Sequence, residues 1–193
     1  STRVMGCELV PGCGLLATYY TGLWVLGGGA TAQRVDKTLY FPFGYRAPWG
    51  GKRWLRPLNI PLPKTQNSTY PPYSLKTIKW EGQIKVDATE AYTFYVSVDN
   101  DAWIYIDGVE IIHRSAGGWV GNVPMTWIFA SSEPIQMVAD EWVDIEGRLL
   151  EWKNTFPRNY TFIRIEWSSP STPRSKIPCQ NLRRPKPQPR PRR

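Results

Sequence analysis

The sequence predicts an all-β chain, a sandwich or barrel of short antiparallel strands. Three observations lead there. Apolar and polar residues alternate with a period of two in several short runs, the pattern of strands buried on one face. Glycine (16) and proline (18) are plentiful, which favours turns over helices. No apolar run reaches the roughly 18 residues that would span a bilayer.

The runs fall in order along the chain. Leu15 to Tyr20 (LLATYY) reads as a first strand. The glycine triplet at 27–29 follows, and with no helix pattern after it to make a phosphate cradle it reads as a flexible loop. Residues 40–75 hold prolines at 42, 48, 57, 61, 63, 71 and 72 and read as a long irregular surface excursion. From Thr77 the alternation is clear: Ile78, Trp80, Gly82, Ile84 and Val86 face one way, Lys79, Glu81, Gln83 and Lys85 the other.

Residues 92–108, YTFYVSVDNDAWIYIDG, are the most informative stretch. Tyr92, Phe94, Val96 and Val98 share one face of a strand, and Ala102, Ile104 and Ile106 share one face of the next. Between them Asp99, Asn100 and Asp101 make an acidic corner, which either stays solvated or holds a metal. Asp107-Gly108 then signals a hairpin into Val109–Ile112. Shorter strands are expected at Met125–Phe129 and Ile135–Val138, and longer ones at Trp142–Leu150 and Thr161–Trp167.

Three cysteines, Cys7, Cys13 and Cys179, lie near the two ends of this region. None forms a Cys-x-x-Cys pair, so the spacing does not suggest zinc. A disulfide from Cys179 to Cys7 or Cys13 would close the ends in an oxidising compartment. Sequons at Asn67 and Asn159 point the same way, to export and glycosylation. The start, Ser1-Thr2-Arg3, lacks the apolar core of a signal peptide, as if one had been removed.

The formal charge is +8, but six of the cations stand in the last eleven residues, RRPKPQPRPRR, leaving about +2 for the rest. That tail alternates bases with proline and reads as a disordered, extended polyproline-type arm. Arg46, Lys52, Arg53 and Arg56 interleave with Trp49 and Trp54, a pattern that nucleic acid or anionic glycans can use. A loop packed by its own aromatics is the simpler account, and export disfavours nucleic acid. Catalysis finds little support: His113 is the sole histidine, and Asp140, Glu141, Asp144 and Glu146 suit a solvated strand face. The acidic corner is no EF-hand, because Trp103 takes a ligand position and Ile104 the required glycine. Trp80 and Trp167 fit core faces, whereas Trp103 and Trp119 are candidates to stack on a ligand.

In this order, Gly14–Tyr20, Ile78–Gly82, Ala91–Tyr95 with Asp99–Gly108, Ile165–Pro170, Ile177-Pro178 and Leu182 make the chain resemble the PA14 domain family. That family is an antiparallel β-sandwich module of bacterial toxins, glycosidases and eukaryotic surface adhesins. The resemblance implies a sandwich over 14–182, a cysteine-containing segment at 1–13 and the basic tail at 183–193. In the lectin-type members two adjacent aspartates at this corner hold Ca²⁺, which grips two sugar hydroxyls. They fall on Asp99 and Asn100, so this chain has an amide where those lectins carry the second carboxylate. Asp101 is a further oxygen at the corner, with its side chain expected to point the other way. The family's second calcium loop falls on Glu151–Arg158, where Asn154 is the best-placed donor and Trp152 a neighbouring ring. The implied function is a non-catalytic, extracellular carbohydrate-binding and adhesion module, with calcium as the cofactor and glycans or glycoproteins as partners. Two other roles fit the family. One is a structural module that binds other protein chains through the 40–75 loop and basic tail; the other is an accessory domain of a glycosidase or toxin.

Overall fold

The computed structural model describes residues 12–20, 30–42, 77–98, 101–115, 119–120, 123–124, 128–150 and 162–186. They form an antiparallel β-sandwich. One sheet runs β2 (Ala30–Asp36), β1 (Leu15–Tyr20), β4 (Thr77–Ile84), β12 (Val143–Leu150), β6 (Asp101–Ile106), β7 (Val109–Arg114). The short β15 (Leu182–Arg183) pairs with β4 beyond the end of β1. The second sheet runs β10 (Ile128–Ser131), β5 (Glu90–Val98), β13 (Phe162–Ser168), β14 (Ser175–Lys176). In it β11 (Ile135–Met137) pairs with β5, and β3 (Tyr40–Pro42) with β13. A small hairpin, β8 (Trp119–Val120) with β9 (Val123–Pro124), stands apart.

The core lies between the inward faces that the alternation marked. Trp80, Ile84, Phe94, Val96, Ile104 and Ile163 are fully buried, each large side chain contributing about 2–3 kcal/mol of burial. Gly147 faces Trp80 across the β4–β12 pair; a Cβ there would sit 3.6 Å from the indole, so the ring fills the space that the glycine leaves. At Gly82 a Cβ would come within 2.2 Å of the Arg183 carbonyl, so a bare backbone here lets β15 close on β4.

Two strands escape the alternation rule. β2 turns Arg34 and Asp36, rather than apolar residues, to the side it shares with Ala17 and Leu15. Asp36 is nevertheless buried (3 % exposed). It accepts hydrogen bonds from the Tyr19 hydroxyl (2.6 Å), the Trp80 indole N–H (2.8 Å) and Arg34 Nε (2.5 Å). Burial, and then the adjacent Asp36 carboxylate, push the Tyr19 phenol well above its ordinary pKa, so it stays a donor. β3 lies inside the excursion expected to be irregular. Proline is tolerated there because Pro42 ends a peripheral strand that needs no further ladder donor.

The ends of the domain are tied together. Cys13 and Cys179 form a disulfide, which settles the choice of partner for Cys179; Cys7 lies outside the described residues. Gly14 N–H donates to the Leu182 carbonyl, and the Asn181 side-chain amide donates to the Lys85 carbonyl and to Asp87. One assignment is corrected here. Arg183, read as the first residue of the extended tail, is a strand residue. Its guanidinium donates twice to Gln83 Oε1 (2.8 and 2.6 Å) and lies 4.1 Å from the centroid of Trp142. A partner for both its charge and its flat face outweighs the tail's preference for solvent. Residues 187–193 lie outside the described residues.

Replacing Asp36 by alanine strands two buried donors. Urea unfolding should show a loss of about 3 kcal/mol or more, partly recovered in Asp36→Asn, which keeps an acceptor oxygen. Glu166 gives a second handle. Burial alone would raise its pKa, but hydrogen bonds from Arg164 and Arg174 outweigh that and hold the carboxyl below its ordinary 4.5. Because the folded value is the lower one, its stabilisation is full above about 4.5 and disappears as pH falls through the folded pKa. The acid limb of a stability-against-pH curve should therefore flatten in Glu166→Gln, with some stability lost at neutral pH.

Candidate functional site

The site expected from the sequence lies where the chain crosses between sheets. β5 ends at Val98, which pairs with Ile128 on one side and Ile163 on the other. β6 begins at Asp101, which pairs with Leu150, the last residue of β12. The 99–100 corner thus joins strand ends that adjoin those of β12 and β13, between which runs the 151–161 connection. The end of β5, the start of β6, the end of β12 and the start of β13 therefore share one end of the sandwich. Asp99, Asn100, Trp152, Asn154 and the sequon residues Asn67 and Asn159 lie outside the described residues. Among the described residues no group of three or more His, Cys, Asp or Glu is placed to hold a metal.

The described part of this end is specific. Asp101 is buried, 3 % exposed. Trp103, two residues on, is half-buried on the outer face of its sheet, where its ring stacks on His113 (centroids 4.9 Å apart, planes at 20°). A bulge sets this pair. The Asp107-Gly108 turn starts the register at Ile106 opposite Val109, and an irregularity after Ile104 shifts it so that Trp103 faces His113. A regular ladder would have put Ile112 there. Trp119 is the first residue of β8, with its side chain outside the description.

The same outer face carries a ladder of charge. Tyr105 donates to Glu110 (3.1 Å), and the Arg148 guanidinium lies 4.7 Å from the Tyr105 ring centroid. Arg148 also pairs with Glu146, and Lys79 bridges Glu81 (2.7 Å) and Glu146 (3.5 Å). Gln83 donates to Asp144 (2.8 Å), and Lys85 pairs with Asp140 (3.2 Å). Three of the four carboxylates weighed for catalysis, at 140, 144 and 146, therefore already have amide or ammonium partners, as a solvated strand face would supply. Between Glu81, Gln83, Tyr105, Asp144 and Arg148 the face sinks into a groove of about 630 Å³. Alternation marked these residues as outward but gave no sign that they enclose a groove. The basic segment beyond β15 was the one available signal, since its first residues form part of the groove's wall.

Comparison with known proteins agrees with this architecture. The PA14 domain model matches residues 63–181, and the chain belongs to that family. Against proteins of curated function there is no significant match. Among solved structures, an anti-sigma factor domain-containing protein from Clostridium clariflavum is 25 % identical with a TM-score of 0.59. The match covers 91 % of this chain and 48 % of that one, so this chain spans about half the length of that structure. A PA14 sugar-binding domain from an RTX adhesin is 14 % identical, with a TM-score of 0.60 and coverage of 89 % and 98 %. The epithelial adhesin 6 A domain from Candida glabrata, solved with Galβ1-3GlcNAc, is 12 % identical, with a TM-score of 0.56 and coverage of 92 % and 88 %. At these identities the two adhesin domains bear on the fold alone.

If the Trp103–His113 stack holds this end of the sheet, the two side chains should be energetically coupled. A double-mutant cycle of Trp103→Ala and His113→Ala, read by thermal or urea unfolding, should give about 0.5–1.5 kcal/mol of coupling.

Proposed function

We propose that this chain is a non-catalytic carbohydrate-binding module of an extracellular or surface-exposed adhesin, with its ligand site at the loops around Asp99, Asn100 and Asn154. The observation that carries the reading is the meeting of strand ends. Val98 pairs with Ile163 in one sheet and Asp101 with Leu150 in the other, and only two residues separate Val98 from Asp101, so the connections bearing all three oxygen donors start from neighbouring strand ends. The family membership and its sugar-binding adhesin structures support it. The Cys13–Cys179 disulfide supports an oxidising location.

Calcium fits the chemistry of this donor set, which is all oxygen. The set carries one carboxylate and two amides, with Lys153 and Arg158 nearby in sequence. Fewer ligand charges weaken calcium, and such a site belongs in the range of about 10⁻⁴–10⁻³ M. When bound, the ion supplies open coordination positions for vicinal hydroxyls. The chain's own part is to hold the oxygens at the corner and to offer Trp103, Trp119 and Trp152 as ring platforms.

On a glycan array at millimolar calcium, the chain should bind at least one saccharide class, and EDTA should abolish the signal. Asp99→Ala should abolish it as well without lowering the unfolding midpoint, whereas Asn100→Asp should strengthen calcium binding. Saccharide binding that survives both EDTA and Asp99→Ala would remove calcium from the proposal.

A further inference from the structure

Beyond β15 the chain runs out over the groove on the outer face of the larger sheet. Arg183 anchors the exit through Gln83 and Trp142. Pro185 and Lys186 then line the groove together with Glu81, Asp144 and Glu146. The distribution of ion pairs around it is uneven. Glu81 and Glu146 are satisfied by Lys79 and Arg148. Among the described residues the Asp144 carboxylate accepts from the neutral Gln83 amide and from no cation. Asp107 is held against it by two bonds, from Asp107 N–H to the Asp144 carbonyl and from Asp144 N–H to Asp107 Oδ1 (both 2.9 Å). Among the described residues neither carboxylate forms an ion pair, and neither does Glu141, which lines a neighbouring groove with Asp107 and Val143. Across the same stretch Arg184 and Lys186 are exposed and form no ion pair among the described residues.

Uncompensated acids therefore lie close to a basic segment whose first residues already line the groove. That segment continues as PQPRPRR. Seven residues in polyproline geometry, at about 3.1 Å each, span roughly 20 Å. Proline spacing lowers the entropy lost on docking, and separate weak charge contacts add when one chain carries them all. The second groove, about 420 Å³, includes Val109 and Val138, which are 64 % and 51 % exposed. It offers apolar surface to proline rings.

We propose that the basic, proline-spaced segment Arg184–Arg193 docks on its own domain as a strap, held by Asp144 on the outer sheet face and by Asp107 and Glu141 at the edge beside the β6–β7 turn. The partner this surface fits is thus a cationic polyproline segment, and this chain carries one beside it. The inference is independent of sugar binding, because Asp107 and Glu141 lie by the turn that ends β6, whereas the 99–100 crossing precedes its start.

A nitroxide on Arg190→Cys in a Cys7→Ser background, with the full chain ¹⁵N-labelled, tests it. Amide signals of residues 107–109 and 138–144 should broaden selectively. The broadening should fall at least tenfold in about 1 M NaCl, where the screening length is about 3 Å. It should fall likewise in Asp107→Asn/Glu141→Gln/Asp144→Asn. A second variant, Arg184→Ser/Lys186→Ser/Arg192→Ser/Arg193→Ser, leaves the sandwich residues untouched and should also release the strap. Mixing ¹⁵N chains without nitroxide and nitroxide chains without ¹⁵N should give no broadening. Absence of selective broadening overturns the proposal, as does broadening indifferent to salt and to both variants. Broadening found only in the mixed sample overturns docking within one chain and gives the groove to a second copy.

Discussion

The Asp36 carboxylate, sealed beneath the larger sheet, is the interaction on which the arrangement of that sheet turns. It joins three strands through side chains alone: Tyr19 from β1, Trp80 from β4, and its own β2. Trp80 is fully buried, so its indole N–H needs an acceptor within the protein. The ring in turn depends on Gly147 for room, which fixes how β12 lies against β4. β4 then carries β1 and β15 along its other edge. A buried carboxylate is costly without donors, and here three side chains supply them.

That framework also sets where the chain passes from one sheet to the other. β5 and β6 belong to different sheets, and the two-residue crossing between them holds Asp99 and Asn100. A crossing that short forces the strand ends of both sheets close together. The end of β12 and the start of β13 lie at the same edge, because β12 flanks β6 and β13 flanks β5. The other distinctive chemistry lies on the sheet's outer face and its adjoining edge, where ion pairs cover most of the ladder but leave Asp144, and Asp107 and Glu141 beside it, without a cation among the described residues. The two surfaces differ in kind: oxygen donors on loops suit a metal and hydroxyls, whereas a charged groove on a rigid sheet suits an extended cationic chain.

Legibility divides along physical lines. Period two marked β4, β5, β6, β12 and β13 and their inward residues, because one-sided burial imposes that pattern on the local sequence. It missed β2, whose inward positions are Arg34 and Asp36, charges that make sense only once Tyr19 and Trp80 are seen above them. It missed β3, where proline suggested loop. It marked Asp107-Gly108 as a hairpin turn but gave no sign of the bulge that sets Trp103 against His113. Asp99 and Asn100 stood out in the sequence as an unusual acidic corner; they lie outside the described residues, and only the flanking strand ends are seen to adjoin those of β12 and β13.

By itself the sequence determined the class of fold, most of the core and the segment most specific to the family. Each of these depends on residues close together in the chain, through alternation, turn chemistry and motif order. Tertiary structure decided the partner of Cys179, the burial of Asp36, the capture of Arg183 by Gln83 and Trp142, and the groove on the outer face. In each of those, groups far apart in the chain must meet, and strand pairing and register bring them together. Local composition carries no record of that register.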